Sequence, residues 1–344
     1  MQMTRRRSGP PSPSPTTASL KSIADEVGVS ISTVSRAFTR PELIGEQTRN
    51  QILSVATRVG YQPNRSARGL ATGRTAVLSL LVPDIANPFF PPLVRAAENR
   101  AYSQGYAVLL AHTDEHAERE RRLMREMLSR VDGLVLCSPR SAAGPIKEIA
   151  RQRPVVLVNR AIPGMTSVAC SVDVGVSALM DHLHELGHRG LVYLSGPASS
   201  WSDKDKRSCV RRHAKRLGMT VDVLGPFQPS FDGGLTAAGA VAERRSTAVL
   251  AYDDVMALGT IRGLTELGLD VPGSVSVAGC DDVMFAGMTM PALTTIAMPN
   301  ELAGRTAVDL LLDQLASPGR TPQEVSLSSS FVARGSSGPV RRTA

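Results

Sequence analysis

Apolar positions in the first fifth of the chain recur with a helical period. Leu20, Ile23, Ala24 and Val27 fall at i, i+3, i+4 and i+7, one face of a short helix. Gly28 follows Ala24 by four, where a small residue with a permissive backbone suits a sharp inter-helix turn. Ser30 is placed to cap a second helix that buries Val34, Ala37 and Phe38. Its opposite face carries Ile31, Ser32, Thr33, Ser35 and Arg36, short, polar or basic side chains that fit a DNA major groove. Ile52, Val55, Ala56 and Val59 repeat the spacing in a third helix. The pattern predicts a helix-turn-helix head over residues 19–62; a plain three-helix cap is the alternative.

After Arg74 the period changes. Short apolar runs (Ala76–Val82, Tyr106–Ala111, Gly133–Cys137, Val155–Val158, Leu191–Ser195, Ala248–Ala251 and Val275–Ala278) alternate with helical stretches. Such runs predict parallel strands covered on both faces. Unusual residues follow them: Asp84, Asn87, Phe89 and Phe90; Asn159 and Arg160; Ser199–Lys206; Asp253 and Asp254; Cys280, Asp281 and Asp282. Open α/β sheets bind ligands outside the carboxyl ends of their strands, so these positions predict a pocket for a small polar molecule, set between two sheets.

Charge sharpens the division. Residues 1–74 hold eleven Lys/Arg against four Asp/Glu, a surplus of +7, which leaves +1 of the formal +8 for everything beyond. A basic first fifth on a near-neutral body is the electrostatic footprint of phosphate contact. Residues 1–18 combine Arg5–Arg7 with Pro10, Pro11, Pro13 and Pro15 among serines and threonines, and read as a disordered tail with no apolar stretch of a signal peptide. The four cysteines (Cys137, Cys170, Cys209, Cys280) are scattered without a C-x-x-C pair, which fits buried thiols in a reducing compartment. No run approaches a membrane span, so a soluble, cytoplasmic, nucleoid-associated protein is expected, with no membrane partner.

Between head and body, residues 63–75 form a basic, glycine-containing stretch. Arg65 and Arg68 share a helical face, and Leu70 has no local core to join. The stretch fits either a flexible tether or a segment that folds on DNA and wedges Leu70 into a minor-groove base step. One enzymatic motif stands out. His184-Glu185-Leu186-Gly187-His188 is a literal H-E-x-x-H, as in zinc hydrolases. That chemistry needs both histidines on one helical face, whereas Gly187 sits where a helix should end and a strand begins three residues past His188. No G-x-S-x-G, P-loop or G-x-G-x-x-G is present, and no enzyme, cofactor or metal site is expected.

Over roughly residues 19–335 the chain resembles the LacI/GalR family of bacterial transcriptional regulators. In the head the resemblance rests on Leu20-Lys21-Ser22-Ile23-Ala24, Gly28-Val29-Ser30, Thr33-Val34-Ser35-Arg36, Thr48-Arg49, Gly60-Tyr61-Gln62-Pro63-Asn64 and Ala67-Arg68-Gly69-Leu70. In the body it rests on Val131-Asp132-Gly133, Leu186-Gly187-His188-Arg189, Val271-Pro272, Ser276-Val277, Asp281-Asp282 and Leu293-Thr294-Thr295-Ile296. The resemblance implies an α/β protein: a helix-turn-helix head and hinge helix, then a two-lobed, periplasmic-binding-protein-like body (76–335) of two Rossmann-like parallel-sheet subdomains. The lobes would be 76–172 with 301–320, and 176–296 with 324–335, with a flexible tail over 336–344.

The function implied is a regulator, most simply a repressor, binding a palindromic operator in double-stranded DNA as a homodimer, with affinity set by a small sugar-like effector. By position, Ile31, Ser32 and Arg36 match base-reading residues. Thr33, Ser35, Thr48 and Asn64 match backbone-contacting or hinge-starting ones; Arg65, Arg68 and Leu70 lie on the hinge. The effector pocket takes Phe89, Phe90, Arg160, Asp173, Trp201, Ser202, Lys206, Phe227, Asp254 and Asp281. Aromatic faces stack on C–H-rich rings while charged groups hydrogen-bond hydroxyls, a combination that fits a polyol or sugar. Four residues depart from the family pattern: Lys206 replaces the usual Arg, Asp253 an Asn, Cys280 an aromatic residue and Gly45 a Ser. An effector-independent or activating regulator is the runner-up, and a zinc hydrolase through His184, Glu185 and His188 a remote third. The end of the chain carries no apolar heptad, so a dimer and no larger assembly is expected.

Overall fold

The computed structural model describes residues 19–61 and 74–340, which divide into a small helical unit and an α/β unit beginning at Ala76. Asn64, Arg65, Arg68 and Leu70 lie outside the described residues.

In the first unit α1 (Leu20–Val27), α2 (Ile31–Thr39) and α3 (Glu46–Arg58) form where the periodicity places them. Ser19 starts α1 with a capping box: its hydroxyl accepts from the Ser22 amide at 3.2 Å, and Ser22 Oγ accepts from the Ser19 amide at 3.0 Å. The helix stops at Gly28, whose φ of 75° is left-handed and whose N–H donates to the Ala24 carbonyl. Ser30 then caps α2 by accepting from the Thr33 amide at 3.1 Å. Ile23, Ala24, Val34, Ala37, Ile52 and Ala56 are buried at the centre, with Leu20, Val27, Phe38, Val55 and Val59 around them. A core this small leaves the caps important, since each contributes about 1 kcal/mol.

In the second unit, β1 (Val77–Val82), α4 (Phe90–Ser103), β2 (Ala107–His112), α5 (Ala117–Met127), β3 (Gly133–Cys137), α6 (Ala143–Ala150), β4 (Val155–Val158) and β5 (Thr166–Ser171) build the first lobe. The second lobe follows with α7 (Asp173–Glu185), β6 (Gly190–Leu194), α8 (Trp201–Leu217), β7 (Thr220–Leu224), α9 (Phe231–Glu243), β8 (Ala248–Ala251), α10 (Asp254–Glu266), β9 (Ser276–Ala278) and β10 (Thr295–Ala297). The chain then returns through α11 (Asn300–Ala316) and β11 (Glu324–Ser328) and ends its strands with β12 (Ser330–Val332). The first sheet runs β11-β5-β4-β3-β1-β2, the second β7-β6-β8-β9, and every pair within them is parallel. Central strands such as Val155–Val158 are buried along their whole length, which is why they read as unbroken apolar runs. The four cysteines are buried and unbridged.

Two expectations are corrected. Residues 324–335 do not all belong to the second lobe: β11 pairs with β5 of the first sheet, and only β12 crosses to pair antiparallel with β10. Val325 and Leu327 pack into the first core and Phe331 into a second-lobe core, so one continuous-looking strand serves two lobes. The switch sits at buried Ser329, whose amide donates to the Ser171 carbonyl and whose Oγ accepts from the Gly175 amide. Nor does a flexible tail begin at 336. Ser336 is fully buried, its Oγ donates to the Val277 carbonyl at 2.6 Å and accepts from the Thr294 amide at 2.8 Å, and the Val340 amide donates to the Leu186 carbonyl.

Candidate functional site

On the head, α2 turns Val34 and Ala37 inward and leaves Ile31, Ser32 and Arg36 exposed on the other side. Ile31 is 48% exposed, an uncovered apolar side chain on an otherwise polar face. Thr33 and Ser35 are half-buried beside them, as is Thr48 near the start of α3. Ser30 Oγ lies 2.7 Å from Ser32 Oγ and 2.8 Å from Thr33 Oγ1, a hydroxyl cluster that fixes the first turn of α2. The result is a rigid helix start with small polar groups, a basic fork and one apolar contact, what base edges and phosphates require.

In the body a cleft lies at the carboxyl ends of the strands. The first lobe supplies Asn87, Phe89 and Phe90 after β1, Glu115 after β2, Ser138 and Arg140 after β3, and Asn159 after β4. The second supplies Trp201, Ser202, Asp205 and Lys206 from the start of α8, Tyr252 and Asp253 after β8, and Asp281 after β9. Glu115 (φ 59°), Ser138 (46°), Asn159 (57°) and Asp281 (123°) all hold left-handed backbone without being glycine. That conformation, unusual in L-residues, recurs where strand ends turn side chains toward the cleft.

Opposite walls have different chemistry. Phe89 and Phe90 form an edge-to-face pair with centroids 4.9 Å apart, an apolar corner. Arg140 is almost wholly buried; its fork donates to Glu115 at 2.5 and 3.0 Å and Nη1 donates to the Ser138 carbonyl at 3.0 Å. Buried Glu120 accepts from the amides of Arg140 and Ser141 at 2.9 and 3.0 Å and so shapes this turn. Across the cleft Lys206 Nζ donates to the Tyr252 carbonyl at 2.7 Å, sits 4.5 Å from the Tyr252 ring centre and 3.9 Å from Asp281 Oδ1. Burial opposes its charge, but Cys280, Asp281, Tyr252 and Asp253 outweigh burial and raise its pKa. Burial also pushes the Asp281 carboxyl well up, against the pull of Lys206. Asn87 Nδ2 donates to Asp253 Oδ2 at 3.3 Å, a hydrogen bond from one lobe to the other.

Six of the ten expected pocket residues meet here: Phe89, Phe90, Trp201, Ser202, Lys206 and Asp281. The other four stand outside the lining, each for a visible reason. Arg160 donates to the carbonyls of Pro139 and Ser141, holding the loop that carries Arg140. Asp173 opens α7 at the surface, where His213, at 2.7 Å, and Arg212 hold its carboxyl below the usual range. Phe227 packs against the core around β8. Asp254 is fully buried, accepting from Thr295 Oγ1 at 2.5 Å and the Val283 amide at 2.9 Å. Asn87, Asn159, Asp205 and Asp253, which fall among the unusual residues past the strands, line the cleft as well, whereas Glu115, Ser138, Arg140 and Tyr252 do so without any sequence signal having marked them. Applied to every strand, the rule that ligands sit past carboxyl ends would have found Glu115 and Arg140 just beyond β2 and β3.

The H-E-x-x-H motif is dismantled by geometry. α7 ends at Glu185, Gly187 turns left-handed at φ 95°, and His188 is buried, bonded to Thr247 Oγ1 at 2.9 Å and to Ser276 Oγ and the Gly338 carbonyl at 3.1 Å. No group of three His, Cys, Asp or Glu arranged for a metal occurs among the described residues. No helix among them is long and apolar enough to cross a membrane.

Residues 19–64 match the profile of bacterial regulatory proteins, lacI family, and residues 180–337 that of the periplasmic binding protein-like domain. The HTH-type transcriptional repressor CytR of Escherichia coli K12 is 30% identical over 310 residues, spanning 87% of this chain and 90% of that protein. Among solved structures, the lac repressor dimer bound to operator and the anti-inducer ONPF superposes with a TM-score of 0.84 at 25% identity, covering 94% of this chain and all of the other. The complex of the transcriptional regulator CelR with cellobiose gives a TM-score of 0.70 at 26% identity, covering 93% of this chain and 99% of the other. With a capped helix-turn-helix ahead of two parallel-sheet lobes, and these relatives matched nearly end to end, the chain belongs to the lacI family of bacterial regulatory proteins.

Proposed function

We propose that this protein is a cytoplasmic transcriptional repressor that binds a near-palindromic operator as a homodimer and answers to a small sugar-like molecule held in the cleft. The observation that carries the reading is α2: a side-chain-capped helix presenting Ile31, Ser32 and Arg36 opposite its buried face. The operator-bound lac repressor dimer and the cellobiose complex of CelR support the two ends of the proposal. Met284, Phe285, Met288 and Met290, the last 96% exposed, gather large apolar side chains on one short segment and suit a surface covered in a dimer. That His188 is spent on hydrogen bonds within the fold supports a regulator over a zinc hydrolase acting through His184, Glu185 and His188.

A ligand that prefers one arrangement of the lobes changes operator affinity by its differential affinity for the two arrangements. The direct interlobe hydrogen bond from Asn87 to Asp253 is one contact that separates them. Arg36→Ala tests the DNA end, and Leu70→Ala the hinge wedge. Each should weaken operator binding about tenfold to a hundredfold, the range of one good base contact, while leaving binding to random-sequence DNA nearly unchanged. Equal losses on both DNAs would contradict base reading.

A further inference from the structure

The polar groups of the cleft are unequally occupied. Its two cations are already engaged: three N–H directions of Arg140 go to Glu115 and the Ser138 carbonyl, and Lys206 donates to the Tyr252 carbonyl beside Asp281. Acceptors, by contrast, are left over. Asp205, half-buried in the first turns of α8 and lining the cleft, has no hydrogen bond or ion pair among the described residues; Arg212 and Lys206 act on it only at longer range. Asn159, 8% exposed and lining the same cleft, has a buried Oδ1 with no hydrogen-bond partner. Four carboxylates (Glu115, Asp205, Asp253, Asp281) line the space against those two cations. A buried acceptor left without a donor is costly, so the missing complement is a donor, and a positively charged one where a carboxylate is unpaired.

We infer that the cleft takes a polyhydroxylated ring bearing a basic amine, with its ammonium facing Asp205. This deepens the reading of the cleft as the effector site and rests on it. The ring's apolar face lies against Phe89, Phe90 and Trp201, hydroxyls donate to Asn159 and Asp281, and the ammonium supplies the charge that Asp205 lacks. Burial raises the Asp205 carboxyl, and a cation beside it reverses that. A phosphate or carboxylate on the ligand would instead stand among four carboxylates with both protein cations committed.

Trp201 is the only tryptophan and lies in the cleft wall, so fluorescence titration of the full-length protein reports occupancy directly. The probes are two matched sets: glucose, glucosamine and glucuronate, and the corresponding galactose compounds. The expected result is that an amine binds about tenfold to a hundredfold tighter than its neutral counterpart, the contribution of one charge-assisted hydrogen bond, and that neither uronate binds. Asp205→Asn should erase that ratio, and because Asp205 makes no hydrogen bond among the described residues the variant should keep the parent's melting temperature. The inference is overturned if a uronate binds best, if amine and neutral sugar bind alike, if neither amine binds, or if Asp205→Asn keeps the ratio. Operator binding measured on the same preparation separates the two failures: DNA recognition intact with no amine preference sinks only this inference.

Discussion

Asp254 is held in the second-lobe core by donors from Thr295 and Val283, yet burial pushes its carboxyl up to about 7 from 3.8 despite both. The folded protein therefore keeps a proton there over the window in which the unfolded chain has lost it. Stability from this group is fully present below about 4 and is lost as pH rises toward 7. Melting temperature followed from pH 5 to pH 8 should fall in the parent. Asp254→Asn should lower it at pH 5, by leaving one hydrogen bond unmade, and should flatten the slope so that the gap to the parent narrows toward pH 8; a variant with the parent's slope would mean another group titrates. Its neighbour Asp253 shows why single residues were hard to assign from sequence. Both follow the apolar run Ala248–Ala251, but Asp253 caps α10 by accepting from the Met256 amide at 2.8 Å and still reaches Asn87 across the cleft. Only the helix start decides which of two adjacent carboxylates faces ligand and which faces core, and the sequence pattern does not resolve one residue in register.

At the scale of elements, periodicity was the legible quantity. The head helices and the apolar strands stood out because each buries one face or both. Thr166–Ser171 did not, since Thr166 and Ser167 are polar yet buried, their place in the sheet set by neighbours on both sides. Residues 324–335 were expected in one lobe because nothing in the alternating pattern of 325–332 marks Ser329 as the point where the chain changes sheets. Helix packing was also hidden. At Gly234 in α9, a Cβ would lie 2.1 Å from the Met256 carbonyl oxygen and 2.7 Å from the Thr260 amide of α10, backbone that cannot yield. Gly234→Ala should destabilise the body by about 1–3 kcal/mol, the usual cost of overpacking, as read by chemical denaturation. The head's own stability, followed as a separate transition, should not move; an unchanged body would mean the two helices slide apart freely.

For the whole molecule, the sequence placed charge and chemistry at opposite ends: a basic head carrying nearly all the net positive charge, and a near-neutral body with its unusual residues past strand ends. Two core-forming units and a cleft follow from that layout, and DNA recognition linked to ligand binding is the function the layout serves. Selecting genomic fragments with the purified full-length protein and sequencing those retained tests this claim most directly. The account predicts a near-palindromic motif with two half-sites, whose retention changes when a ligand fills the cleft. Retention that falls steeply with salt and shows no sequence preference would contradict it, reducing α2 to one face of a generic basic domain.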